Sequence, residues 1–456
     1  MREDASLSSI QSDVSTVQLA VDSHAGIDAG AGLAPRPSDL AATGLTEPFV
    51  CELAIKHLYR GGVMDLTQLV DRLALAGSVL EPVIAFLRHE AYVEVLPTTQ
   101  SSGIRYALTE RGRQIAMDAF AKSGYVGPAP VTLEAYRRVV HAQSVRSVQV
   151  TRDNAQRAFL DVVAHQALID KLGTALNSGR PLFLYGPAGT GKTFLGRRLV
   201  RMIENDNILV PYAILIGDTV IQLYDPAVHR QVDTHQIPGL VLSEGHDPRF
   251  IRCRRPGVLT GGELTLDMLE VEYDAATKQY HAPQSLMANN GLYMIDDLGR
   301  QRLAPDALLN RWIVPMEESR DYLTIGAGQR FEVPFDVILV FSTNLNPLEL
   351  ADEAFLRRLG HKVPFHYVST SQYHEIWQRM CADLGLAFDE GLLTQLFELY
   401  ESEGRPLLPC HPRDLLTSVV DRLNYEGKPL GEHINMEQLQ HAWNSYFVSL
   451  ADRQGH

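Results

Sequence analysis

Gly186-Pro187-Ala188-Gly189-Thr190-Gly191-Lys192-Thr193 is the stretch on which the reading of this chain turns. Its spacing is G-x-x-x-x-G-K-[ST], and its surroundings suit that pattern. Leu182-Phe-Leu-Tyr185 before it reads as a buried strand, and Phe194 to Ile203 after it reads as a helix. The order strand, glycine-rich turn, helix matters physically. Glycines let backbone N–H groups turn inward onto phosphate oxygens, and the helix N-terminus adds its positive end. Lys192 is then placed to reach the β- and γ-phosphates, and the Thr193 hydroxyl to ligate Mg²⁺.

Working outward, a phosphate loop needs an acidic site at the end of a neighbouring strand. Gly291-Leu-Tyr-Met-Ile295 followed by Asp296-Asp297 fits. Asp296 is expected to hold Mg²⁺ through water, and Asp297 to orient or deprotonate an attacking water. A third apolar run, Asp336 to Phe341, ends in Ser342-Thr343-Asn344, and Asn344 is placed to share that water. From about residue 151 helices alternate with apolar strands, which predicts an α/β unit with a parallel sheet. After about residue 367 the pattern is helical only.

These motifs together resemble the AAA+ ATPases, and within them the MoxR-like branch, over about residues 155 to 445. GPAGTGKT looks like Walker A, YMIDD like Walker B and FSTN like the sensor-1 strand. PGVLTGGELTLDMLEVEYDAATKQYHAPQ resembles the branch's helix-2 insert, a hairpin of Leu269–Tyr273 against Gln279–Ala282. DEAFLRRLGHKVPF resembles the arginine-finger segment, matched at Arg358 with Arg357 beside it, and CHPRDLLTSVV the sensor-2 helix, with Arg413. The resemblance implies an α/β P-loop NTPase core over 151–366, a helical lid over 367–456, ATP and Mg²⁺ as cofactors, and an ATPase. The nucleotide would rest on Gly186, Pro187, Ala188, Gly189, Thr190, Gly191, Lys192, Thr193, Phe194 and Arg413, with the metal on Thr193 and Asp296. Lys192, Asp297, Asn344, Arg358 and Arg357 would serve catalysis. The resemblance also implies self-assembly into a ring, a hexamer by expectation, that remodels a protein substrate or adaptor. Arg357 and Arg358 would then act at a neighbour's site. One residue departs from the pattern: the usual Asp-Glu pair is here Asp296-Asp297, one methylene shorter, which bears on turnover.

Ahead of this core, residues 1–44 are rich in Ser, Ala, Asp and Gly, and their composition predicts a disordered tail. Residues 45–122 read as a small α+β unit. Its helices follow Thr46, Asp65 and a capping box at Ser78-Val-Leu-Glu81. A hairpin (Tyr92–Val95 and Arg105–Leu108, around Ser101-Ser-Gly103) comes next, and then a helix capped by Thr109. The unit resembles a winged helix. Its 8 Lys+Arg against 9 Asp+Glu lack the surplus that phosphate neutralisation needs, so protein docking is preferred to DNA. Residues 123–150 begin as a Pro/Gly linker and continue as a short helix, and the segment as a whole reads as a linker.

The chain has 456 residues, enough for several domains, with 41 Lys+Arg against 55 Asp+Glu and a net charge of −14. That argues against a nucleic-acid coat. No apolar run is long enough for a membrane span, the N-terminus lacks a secretory h-region, and the four cysteines show no CxxC pair, so a reducing cytoplasm is expected. Arg249, Arg252, Arg254 and Arg255 read as either a partner contact or a solvated loop. Two rival functions stay open on sequence: a DNA-acting motor using the winged helix, and an ATP-gated assembly switch with negligible turnover.

Overall fold

In the computed structural model, the described residues are 32–96, 104–232, 245–326, 328–350, 352–429 and 434–447. Five strands form the central sheet: β1 Leu182–Tyr185, β2 Gly257–Thr260, β3 Gly291–Ile295, β4 Val337–Thr343 and β5 His361–Pro364. They lie in the order β2-β3-β4-β1-β5, and every pair is parallel. The strands are continuous apolar runs because both faces are covered. Alternate residues feed two cores. Leu182, Leu184, Leu292, Met294, Ile338 and Val340 pack with the helices Gln166–Asn177 and Lys192–Ile203. Phe183, Tyr293, Ile295, Leu339 and Phe341 pack on the other side with Leu308, Trp312 and Phe355. The expected α/β P-loop core is therefore present. The C-terminal region is helical as expected: Thr370–Asp383, Glu390–Ser402, His411–Tyr425 and Met436–Tyr446 close on a core that includes Trp377, Tyr400, Leu415 and Trp443.

The N-terminal unit contains helices Glu47–Gly61, Leu66–Leu73 and Gly77–His89, strands Val93–Leu96 and Arg105–Leu108, and helix Glu110–Lys122. Met64–Asp65 adds a third antiparallel strand on Arg105–Leu108. Asp65 makes a capping box with Gln68, and Thr109 accepts from the Gly112 N–H. Ser78 does not cap: its helix starts at Gly77, and its hydroxyl donates 2.8 Å to the Ser38 carbonyl. The expected turn at Ser101–Gly103 lies outside the described residues.

Two segments differ from expectation. Residues 1–31 of the expected tail lie outside the described residues, but from 32 onward the chain is built in. Asp39 caps the helix Leu40–Thr43, and the Asp247 N–H donates 2.8 Å to the Ala34 carbonyl. The expected linker 123–150 is likewise packed. Tyr125 and Ala129 join the N-terminal core. Val131–Thr132 pairs with Ala213–Ile216, and the helix Leu133–Ala142 buries Tyr136, Val139 and Val140. Asp336 accepts from the Ser144 hydroxyl, the Val145 N–H and Asn290 Nδ2, each at 2.7 Å. Proline and glycine suggested freedom, but the apolar residues between them find partners far along the chain.

The hairpin of the insert is shorter than expected, Glu272–Asp274 against Gln279–His281. It is the edge of a second five-stranded sheet with Thr219–Gln222, Ala213–Ile216 and Val131–Thr132. Gly124 N–H donates 2.9 Å to its Lys278 carbonyl, so hairpin and N-terminal unit are joined. The arginine cluster resolves unevenly. Arg249 is 3% exposed, ion-paired to Asp247 at 2.8 Å and bonded to the Thr43 and Pro130 carbonyls. Arg255 is 2% exposed and grips Asp206 at 2.6 Å and the Gln143 and Asn290 carbonyls. Both are internal staples, neither partner contacts nor a solvated loop.

Candidate functional site

The carboxyl ends of β1, β3 and β4 converge, as open α/β sheets require of their ligand sites. The chain leaves β1 at Gly186, whose φ is 144°. A Cβ there would lie 2.2 Å from the Phe365 carbonyl oxygen just past β5, so only glycine lets the loop turn against that strand. Thr190 Oγ1 donates 2.8 Å to the Pro187 carbonyl and closes the loop on itself. The helix that follows begins at Lys192.

Lys192 is 6% exposed and donates to the carbonyls of Gly186 and Pro187, both at 2.8 Å, and to Asn344 Oδ1 at 2.6 Å. Asn344, at the end of β4, donates through Nδ2 to Asp297 Oδ1 at 3.1 Å. Asp297, at the end of β3, donates its N–H to Asp296 Oδ1 at 3.0 Å. One bonded chain thus joins residues drawn from three strand ends. Burial pushes the Lys192 ammonium below its ordinary pKa, while the carboxylates of Asp296 and Asp297 oppose that shift.

A cavity of about 870 Å³ lies over this chain, walled by the loop and helix start from Ala188 to Leu195, by Asp297, Arg300 and Asn344, and by the lid residues Arg379, Met380, Asp383, Cys410 and Arg413. Gly186 and Pro187 contribute their carbonyls to Lys192 behind the wall. Phe194 is 48% exposed on that wall, with the Arg198 guanidinium 3.8 Å from its ring centre. Arg413 lines the cavity from the helix His411–Tyr425, but Asp414 beside it accepts from its guanidinium at 2.9 Å. Arg357 and Arg358 do not line the cavity. Arg358 pairs with Glu317 at 2.5 Å, and Arg357 Nε donates 3.3 Å to the Glu353 carbonyl.

Arg300 and Cys410 are among the cavity residues that the sequence reading did not place in the site. Arg300 follows Asp297 by three positions, and that short spacing after the paired acids was the available signal. For Cys410 the signal was its place beside Arg413; the loop at Gly189 that it faces is distant in sequence. Next to it, His411 Nδ1 lies 2.8 Å from the Tyr400 hydroxyl, which meets the Tyr373 hydroxyl at 3.0 Å. Burial pushes the His411 imidazole down to about 4.

As a test of fit for Mg²⁺, the donors near the loop are the Thr193 hydroxyl and the carboxylates of Asp296 and Asp297, all hard oxygens. Thr193 is on the cavity wall, whereas Asp296 is 9% exposed behind Asp297. This donor set suits Mg²⁺, which Thr193 would ligate directly and Asp296 through water.

Fold and site together define a P-loop nucleotide-site architecture. A family model described as a domain of unknown function (DUF8689) matches residues 369–445, within the helical lid. No curated protein matches the chain. Among solved structures, the chain is similar to the Thermotoga maritima RuvB Holliday junction branch migration motor, with 15% identity, 64% of this chain and 74% of that one covered, and a TM-score of 0.38. It is also similar to NtrX from Brucella abortus in complex with ADP, with 12% identity, 76% of this chain and 69% of that one covered, and a TM-score of 0.40.

Proposed function

We propose that the chain is an AAA+ ATPase of MoxR-like kind, which binds and hydrolyses ATP with Mg²⁺ in a ring and uses the cycle to remodel a protein partner. The observation that carries this reading is the bonded chain Lys192–Asn344–Asp297 beneath a cavity large enough for a nucleotide. In ATP binding, Lys192 exchanges two loop carbonyls for phosphate oxygens, a stronger charge-assisted contact. Asn344 then holds the attacking water together with Asp297, which takes its proton. Thr193 and Asp296 would hold Mg²⁺, which would supply positive charge against the phosphates.

Assembly into a ring is supported by Arg357 and Arg358. Neither lines the cavity of its own chain, so each serves hydrolysis only at a neighbour's. The N-terminal unit, with the helix order of a winged helix and a charge balance near zero, docks protein and not DNA. The decisive experiment is Lys192→Ala with titration of fluorescent ATP. Loss of tight binding is expected, and an affinity unchanged within about twofold, far below the tenfold that 1.4 kcal/mol represents, sinks the assignment.

A further inference from the structure

We propose that Arg300 is a phosphate-contacting residue that grips the γ-phosphate within its own subunit; this rests on the ATPase reading above. Three observations point to it. Arg300 shares the cavity wall with Lys192, Asp297 and Asn344, the groups to which the ATPase reading assigns the γ-phosphate. Its side chain is exposed and, among the described residues, has neither a carboxylate nor a hydrogen-bond partner. The other arginines on that wall are already neutralised: Arg379 by Glu375 at 2.6 Å, and Arg413 by Asp414 at 2.9 Å. An unpaired guanidinium in a cavity that otherwise holds paired ones is the group left to meet an incoming anion.

The backbone that carries Arg300 is fixed. Its N–H donates 2.9 Å to the Asp297 carbonyl, and the preceding Leu298 N–H donates 2.8 Å to the Ser342 carbonyl on β4. The next residue, Gln301, is pinned through Nε2 to the carbonyls of Asp296 at 3.1 Å and Gly261 at 3.2 Å, and accepts from the Gly299 N–H at 2.9 Å. Arg300 thus hangs from the turn that also sets Asp297. Arg300 and Lys192 line the same cavity, so an anion bound between them meets both cations. A ligand with a γ-phosphate supplies that anion, and ADP, one phosphate shorter, does so less. Arg300 therefore distinguishes ATP from ADP at the site and steadies the charge that develops on the transferring group.

The test is Arg300→Ala in the full chain, titrated with a non-hydrolysable ATP analogue and with ADP, both with Mg²⁺. Affinity for the ATP analogue should fall about tenfold or more, the usual loss of a hydrogen bond to a charged group, while ADP affinity stays within about twofold. Arg300→Lys should retain part of the discrimination. Should Arg300→Ala fail to melt cooperatively, Arg300→Gln carries the same comparison. Unchanged binding of both nucleotides overturns the proposal, as does an equal loss of both in a variant with an unchanged melting temperature. Lys192→Ala run alongside separates the two levels. If it loses both nucleotides while Arg300→Ala loses neither, only the Arg300 assignment falls; if it retains both, the ATPase reading falls and takes the Arg300 assignment with it. Mixing Lys192→Ala with Arg300→Ala should restore no ATPase activity, since no subunit then has both cations, and recovery would place Arg300 at a neighbour's site.

Discussion

Replacing Asp297 isolates the acid-base role from the backbone that supports it. Asp297 has φ 51°, in the left-handed region that aspartate and asparagine tolerate better than other side chains with a Cβ. Asp297→Asn therefore keeps both the turn and a polar partner for Asn344, which now lies 3.1 Å away. What it removes is the carboxylate proposed as the base. General-base catalysis typically supplies 10²–10⁴-fold, which corresponds to roughly 3–5 kcal/mol of barrier. Phosphate release at saturating ATP should fall by that factor, with nucleotide affinity preserved. The companion variant Asp297→Glu supplies the acid more usual in the resembled family, but on a backbone that costs glutamate roughly 1 kcal/mol. It should melt about 2–4 °C lower for a domain of this size and hydrolyse no faster than the parent. Asp297→Asn retaining more than about a tenth of the rate, against that 10²–10⁴-fold expectation, would show that the base lies elsewhere. Asp297→Glu that is faster and equally stable would refute the claim that the left-handed turn selects aspartate.

Arg358→Ala should bind ATP normally and hydrolyse it about 10³-fold or more slowly, and mixing it with Lys192→Ala should restore partial activity in exchanging rings; no recovery would count against action in trans. The lid should loosen in acid. His411 has its pKa lowered from 6.5 to about 4 in the folded state, so the unfolded chain binds the proton more readily. The associated stability is fully present above pH 6.5 and is lost as pH falls to about 4, a difference of roughly 3 kcal/mol. Trp443 and Trp377 fluorescence should report that loss, and His411→Gln should flatten the slope; a parent lid equally stable at both pH values would refute it. Finally, the full chain should show no sequence-selective duplex binding at physiological salt, measured by anisotropy, and sub-micromolar selective binding would restore the DNA reading.

The sequence by itself determined the elements and the chemistry local to each strand end. A glycine loop between an apolar strand and a helix, paired acids after Ile295 and a polar Asn344 after Phe341 are signals that lie within a few residues of one another, and local backbone physics reads them directly. The parallel core, the helical C-terminal region, and the caps at Asp65 and Thr109 were legible for the same reason. Tertiary structure alone decided where non-local partners lie. Tyr125, Val131 and Tyr136 turn an apparent linker into packed structure because their apolar surface meets strands some eighty residues further on. Arg249 and Arg255 read as surface charge, yet both are buried, and carbonyls from distant segments join Asp247 and Asp206 in satisfying them. The contact of Lys192 with Asn344 spans 152 positions, and no local pattern announces that Arg300 joins them on one cavity wall. Composition fixes how many charges a chain carries, but the long-range strand order fixes which strand ends meet, and that is what brings Lys192, Asp297 and Asn344 together.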